Sequence, residues 1–137
     1  MTFELQDSGN FLKLTALEQL YPNSSDWDQK FLSCSVELKS GAFSGNFNGE
    51  FMVDDFKSFS QQLQNLYKTL KGTANFNCLE DYVNIVVTGD GIGHLSAKCV
   101  VTDSPFPLNS LQFELEFDQT YLPNIINDLD QIVSKFS

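Results

Sequence analysis

The chain has no arginine, one histidine, one tryptophan and three cysteines in 137 residues. Without arginine it lacks the planar fork that grips phosphate at two points at once. Eighteen acids outnumber eight basic residues, for a net charge of -10. Such an excess repels nucleic-acid backbones and anionic membranes. On this basis neither nucleic acid nor membrane is an expected partner. An acidic field can steer a basic protein inward, and it can equally do no more than keep the chain in solution. The imbalance is greater in the second half: residues 1–71 hold six Lys and nine acids, residues 72–137 two Lys and nine acids.

No stretch approaches the roughly 18 apolar residues that a membrane-spanning helix needs. The opening Met-Thr-Phe-Glu-Leu-Gln-Asp has no basic region followed by an apolar one. No secretory signal is read, and a cytoplasmic location is expected. Cys34, Cys78 and Cys99 are odd in number, far apart, and each embedded in an apolar strand pattern. A secreted disulfide scaffold calls for an even count. A zinc site calls for CxxC spacing or companion histidines. Buried, inert thiols are expected instead, with no metal and no cofactor.

Phenylalanine is what the chain has in abundance, thirteen in all. These rings carry large apolar area and no polar handle, so most belong in a core. Hydrophobic residues at 42% and charged residues at 19% place the chain among globular rather than disordered proteins. Its length suits a single domain over 1–137.

Alternation with a period of two dominates the pattern. Phe43, Gly45, Phe47, Gly49, Phe51 and Val53 share one face, against Ser44, Asn46, Asn48 and Glu50. Similar faces run through Leu32–Leu38, Ala74–Cys78, Val83–Val87, Leu95–Val101 and Leu111–Phe117, with two weaker strands near Phe3–Leu5 and Phe11–Leu17. Strict alternation marks antiparallel strands with one covered face. Two segments switch to helical spacing: Phe56, Phe59, Leu63, Leu66, Tyr67 and Leu70 after Asp54-Asp55, and Leu122, Ile125, Ile126, Leu129, Ile132, Val133 and Phe136 after Asp118. The Asp pair suits a helix N-terminus and Gly72 its far end. Pro123 is tolerated because it falls in the first turn. The predicted fold is α+β, an antiparallel sheet with two amphipathic helices packed on one face.

Superposing Asp55 on Asp118 aligns Phe59 with Leu122, Leu63 with Ile126, Leu66 with Leu129 and Leu70 with Val133. The halves therefore suggest a duplicated β-β-β-α unit, although ordinary patterning can converge on the same likeness. Duplication would leave each half unable to bury its sheet face alone, so the two would share one core.

No catalytic set emerges. His94 falls on the polar face with Ser96 and Lys98, and the pleat turns Cys99 the other way. No G-x-S-x-G elbow is present. Gly89-Asp90-Gly91-Ile92-Gly93-His94 joins two strands and opens no helix, so it reads as a glycine-rich hairpin rather than a dinucleotide site. Glu114 and Glu116, two apart on one strand, lie roughly 7 Å from each other, a spacing a glycosidase pair could use. Their neighbours are amides and hydroxyls, which describes a solvated sheet face. Asp26, Trp27 and Asp28 sit in the longest predicted loop, where Trp27 is either an interface anchor with an acidic rim or a lid on the core. A second loop spans Asp103–Pro107.

Read as a whole, the chain resembles the WapI-type immunity proteins. The likeness rests on Tyr21-Pro22, Asp26-Trp27-Asp28, Phe31-Leu32, Gly41-Ala42-Phe43-Ser44-Gly45 and Asp55 with the Phe59/Leu63 helix. It continues through Gly89-Asp90-Gly91-Ile92-Gly93-His94 and Phe117-Asp118-Gln119-Thr120-Tyr121-Leu122, the two most specific motifs, into Ile125-Ile126. Where relatives carry Tyr-Trp-Asp and then Asn-Trp, this chain has Asp26-Trp27-Asp28 and then Lys30-Phe31. The resemblance implies a stoichiometric inhibitor, without catalysis or cofactor, of a toxin domain that is often a nuclease. A basic toxin domain is then the expected partner, and Asp26, Trp27, Asp28, Asp90, Glu114 and Glu116 are the candidate contacts. Two alternatives stay open: an adaptor that homodimerises through a sheet edge, and a small hydrolase using His94 or the Glu114/Glu116 pair.

Overall fold

The computed structural model describes residues 1–20, 31–78, 80–104 and 109–136. Eight strands and two helices follow one another as two repeats of four strands and a helix. The first comprises β1 (Thr2–Asp7), β2 (Asn10–Gln19), β3 (Phe31–Ser40), β4 (Phe43–Met52) and α1 (Val53–Thr69). The second comprises β5 (Lys71–Asn77), β6 (Val83–Asp90), β7 (His94–Thr102), β8 (Ser110–Asp118), a 3-10 turn at Gln119–Tyr121, and α2 (Leu122–Phe136). The α+β class stands. The strands divide into two antiparallel meanders, β1-β2-β3-β4 and β5-β6-β7-β8, so the repeating unit carries one strand more than alternation suggested.

Each sheet turns its apolar face to a common interior. Phe3, Leu5, Leu12, Leu14, Leu32, Cys34, Val36 and Phe51 from the first sheet are buried in the same cluster as Ala74, Phe76, Ile85, Val87, Leu95, Ala97 and Leu115 from the second. Phe76 sits at its centre. Its ring lies 5.4 Å from Phe56, 5.5 Å from Phe59, 6.0 Å from Phe3 and 6.2 Å from Phe51. All four neighbours come from the other repeat. The helices fill the interior with Phe56, Phe59, Leu63 and Leu66 from α1 and Leu122, Ile125, Leu129 and Ile132 from α2. They are joined by a hydrogen bond of 2.6 Å from the buried Ser60 hydroxyl to Asp130.

The ends of α1 differ in detail from their sequence reading. Met52 is the N-cap, and Asp55 reaches back to accept its N–H at 3.1 Å, half of a capping box. Burial pushes the Asp55 carboxyl up, and that N–H opposes the shift. The helix stops on Leu70, which adopts the left-handed conformation at φ 60°. Gly72 lies beyond the cap in β5. Leu70 takes this role because its carbonyl receives the N–H of Gly91 at 2.7 Å, and the crowding there requires Gly89. A Cβ at Gly89 would stand 2.5 Å from the Leu70 oxygen.

Three sheet edges are attended. Gln62 of α1 spans the edge of β5, accepting from Asn75 N–H at 2.9 Å and donating to Asn75 C=O at 3.2 Å. Asp7, at the β1–β2 turn, accepts from Glu116 N–H of β8 at 3.0 Å. That bond ties the two sheets together where β1 meets β8. No described helix is long and apolar enough to cross a membrane.

Candidate functional site

The two motifs that carry the resemblance most specifically fold into one unit. The β6–β7 turn, Gly91-Ile92-Gly93, is pinned from three sides. Gly91 N–H is held by Leu70, and Gln119 N–H donates to Gly93 C=O at 2.9 Å. Between them the Asp90 carboxylate accepts from Ile92 N–H at 2.8 Å and His94 N–H at 3.1 Å. These bonds, led by the one from Ile92, hold the Asp90 carboxyl below its ordinary value. Gly93 is at φ 108°, and a Cβ there would meet the Gln119 side-chain oxygen at 2.7 Å. On the other side, Asp118 pairs across the ladder with His94. It caps the 3-10 turn by accepting from Thr120 N–H at 2.8 Å and from the Thr120 hydroxyl. The hydroxyl is the main reason its carboxyl also lies low.

The pinned turn displays Ile92 at 87% exposure. Beside it stand the half-exposed His94, whose Nε2 is 3.7 Å from Glu116 Oε1, and Asp118, Gln119 and Thr120. Tyr121, 45% exposed and edge-on to Phe117, joins His94 and Asp118 in a neighbouring concavity. Asp7, Glu116 and Asp118 line a shallow concavity of about 410 Å³ beside His94. The result is an apolar tip next to His94 and the Asp118 carboxylate, with Asp7, Glu116 and Tyr121 rimming the neighbouring concavity. Such a surface can dock a partner: an immobilised anchor costs little entropy on binding, and the rim attracts positive charge from a distance.

The candidate contacts fall in different places. Glu116 and Asp90 belong to this surface, Glu116 on the rim and Asp90 as the carboxylate that shapes the turn. Glu114 lies one pleat further along β8, opposite Lys98, and accepts a hydrogen bond from the Ser96 hydroxyl. Asp26, Trp27 and Asp28 lie outside the described residues. Ile92 and Tyr121 were not singled out from sequence. The available signal was an isoleucine between two glycines in a hairpin tip, where no sheet face can bury it.

The hydrolase alternatives lack geometry. Ser96 gives its hydroxyl proton to Glu114 while His94 faces Glu116, so no serine–histidine pair forms on this face. Cys99 is buried on the opposite side, its thiol pushed up to about 12 by burial. Among the described residues no group of three His, Cys, Asp or Glu could hold a metal ion.

Fold and surface together define a protein of paired β-meanders with an exposed isoleucine on a pinned turn. The chain belongs to the immunity protein WapI-like family, whose model matches residues 3–137. Immunity proteins act by binding rather than by catalysis. No curated protein matches the chain. Among solved structures the fold is shared with the Trypanosoma MRP1/MRP2 proteins, at a TM-score of 0.56 and 13% identity, over 98% of this chain and 84% of that one. It is shared also with a guide-RNA-binding protein complex bound to a gRNA, at a TM-score of 0.53 and 14% identity, over 97% of this chain and 89% of that one.

The second likeness corrects the expectation that nucleic acid is excluded. The architecture occurs in a protein that binds guide RNA, so fold offers no support for the exclusion. The charge argument was also too coarse, because net charge sums over a chain whereas binding is decided on a local surface.

Proposed function

We propose that the chain is a stoichiometric binding protein that neutralises a cognate bacterial toxin domain, a nuclease being one candidate class, by docking on the Ile92 surface. The observation that carries this reading is Ile92 itself: a large apolar side chain 87% exposed on a turn immobilised by Leu70, Asp90 and Gln119. An isolated exposed apolar residue needs no explanation. One held rigid at the tip of the most motif-rich segment, beside His94 and Asp118, fits an interface anchor. Asp90 acts through the shape of the turn, Glu116 and Asp118 through charge, and Glu114 extends the rim along β8. Asp26, Trp27 and Asp28 remain part of the proposal as further contacts, from the segment between β2 and β3 in sequence.

Co-expression with a panel of secreted bacterial toxin domains, nucleases among them, tests the reading. Wild type should protect cells from one of them, and Ile92→Asp should abolish protection without lowering the melting temperature. Protection that survives Ile92→Asp would remove the surface from the interface.

A second reading is an adaptor that works by pairing with further copies of its fold. It is favoured by the likeness to a guide-RNA-binding protein complex and by an open strand edge in this chain. Light scattering with and without a toxin domain distinguishes it: capture of a toxin domain, by monomer or dimer, belongs to the first reading, and self-association without any such capture to the second.

A further inference from the structure

We propose that β4 pairs with β4 of a second copy, antiparallel and centred on Asn46, to join two four-stranded sheets into one of eight strands. The proposal rests on the adaptor reading and leaves docking at Ile92 untouched. Among the described residues, no hydrogen bond reaches the backbone of Phe43–Phe51 except through its ladder with β3. The other edges are attended by Gln62, or by Asp7 where β1 meets β8. Natural sheets guard an open edge with lysine, proline or a bulge. From Phe43 to Gly49 this strand has no charge and no proline, in a chain whose net charge of -10 sets copies against each other almost everywhere else.

The sequence of the edge fits itself. Antiparallel pairing about Asn46 places Phe47 opposite Gly45 twice over, and Phe43 opposite Gly49. At Gly45, where an added Cβ would meet nothing within 4 Å, the facing ring fills the space that the missing side chain leaves, a recognised way of stabilising strand pairs. At Gly49 that space is already taken by Tyr82 and Phe51, so Phe43 would meet the Tyr82 ring instead. Phe43 is 65% exposed and would gain cover beside Tyr82, whose ring already lies 6.0 Å from Phe47. On the solvent face Ser44 would oppose Asn48 and the two Asn46 amides would meet, all uncharged hydrogen-bonding groups. A register shifted by one residue would put phenylalanine opposite a polar side chain, so the pattern selects both the partner and the alignment. The tip of β4 shares a cavity of about 280 Å³ with Val101 and Leu111, at the end of β7 remote from His94. Both surfaces can therefore be used at once.

A single strand pair is a small interface, so association should be weak and read by sedimentation from about 1 to a few hundred micromolar. The wild-type chain should pass from monomer to dimer in that range. Asn46→Lys should remain monomeric throughout while keeping its melting temperature, because Glu37 lies opposite Asn46 within the monomer and accommodates the new cation. In the dimer the two lysines would face each other, a destabilising like-charge pair. Register is read by oxidative cross-linking, since the native cysteines are buried. Asn46→Cys should link copies at least about tenfold faster than Ser44→Cys, because residues facing each other across the axis lie about 4.5–5.5 Å apart at Cα, within disulfide reach. A wild-type monomer at every concentration, a dimer indifferent to Asn46→Lys, or equal cross-linking by the two cysteine variants would overturn the proposal. Protection from the toxin domain by Asn46→Lys, and its loss in Ile92→Asp, keeps the two surfaces distinguishable.

Discussion

The three thiols show how burial decides chemistry. Cys34 and Cys99 are pushed up to about 12 by burial, and Cys78 is raised for the same first reason although Val83 N–H donates to its sulfur. A thiol that stays protonated is a poor nucleophile. The native protein should therefore take up no label from iodoacetamide at about pH 8 and three labels once denatured, as counted by intact mass. The carboxylates give a prediction of defined sign. Asp90 and Asp118 lie below the ordinary value of 3.8, so their ionised forms favour the folded chain. Their contribution is complete above 3.8 and is lost as pH falls through the lower folded values. Asp55, raised by burial, works in the opposite direction, and acidification relieves it. Thermal melts from about pH 5 downward should show Asp90→Asn losing stability less steeply than wild type, since the amide still offers an oxygen to Ile92 and His94 N–H. Parallel curves would show that the Asp90 charge contributes nothing to holding the turn.

At the scale of elements, all eight strands followed from alternation and both helices from three- and four-residue spacing, because each element has one buried face, although Val53, read as strand, begins α1 and Gly72, read as the helix end, lies in β5. Sheet number did not follow. Alternation reports that a face is covered and is silent on whether the cover is a helix or a second sheet, and here Phe76 finds its cover among Phe3, Phe51, Phe56 and Phe59 of the other repeat. Gly72 was misread as the helix stop because the Leu70 carbonyl is satisfied by Gly91, twenty-one residues away, which no local pattern reveals. The rim at Glu116 was legible as a polar face, whereas Ile92 joins Gln119 and Thr120 in one surface only when the β6–β7 turn meets the 3-10 turn. The close approach at Leu70 can be probed directly: Gly89→Ala should destabilise by about 1–3 kcal/mol in urea melts through overpacking. Gln62→Ala, which releases the N–H and C=O of Asn75, should cost about 1–2 kcal/mol. A neutral Gly89→Ala would mean that the α1 cap and β6 separate more easily than their contact implies.

For the whole molecule, the shared aromatic centre means that the repeats should not fold apart. Phe76→Ala should cost about 3–5 kcal/mol, and calorimetry should record one transition for both halves, with neither 1–70 nor 71–137 folding alone. Two separable transitions would return the sheets to independent cores. A rigid frame of this kind also explains how one isoleucine can stay exposed yet immobile, which is the physical basis of the binding proposal. The most direct measurement is isothermal titration of the purified chain with the toxin domain from which it protects cells, in wild type and in Ile92→Asp. A one-to-one complex that weakens at least about a hundredfold, near 2.7 kcal/mol, in the folded variant is the predicted result. Absence of a complex, or equal affinity in both proteins, would contradict the account.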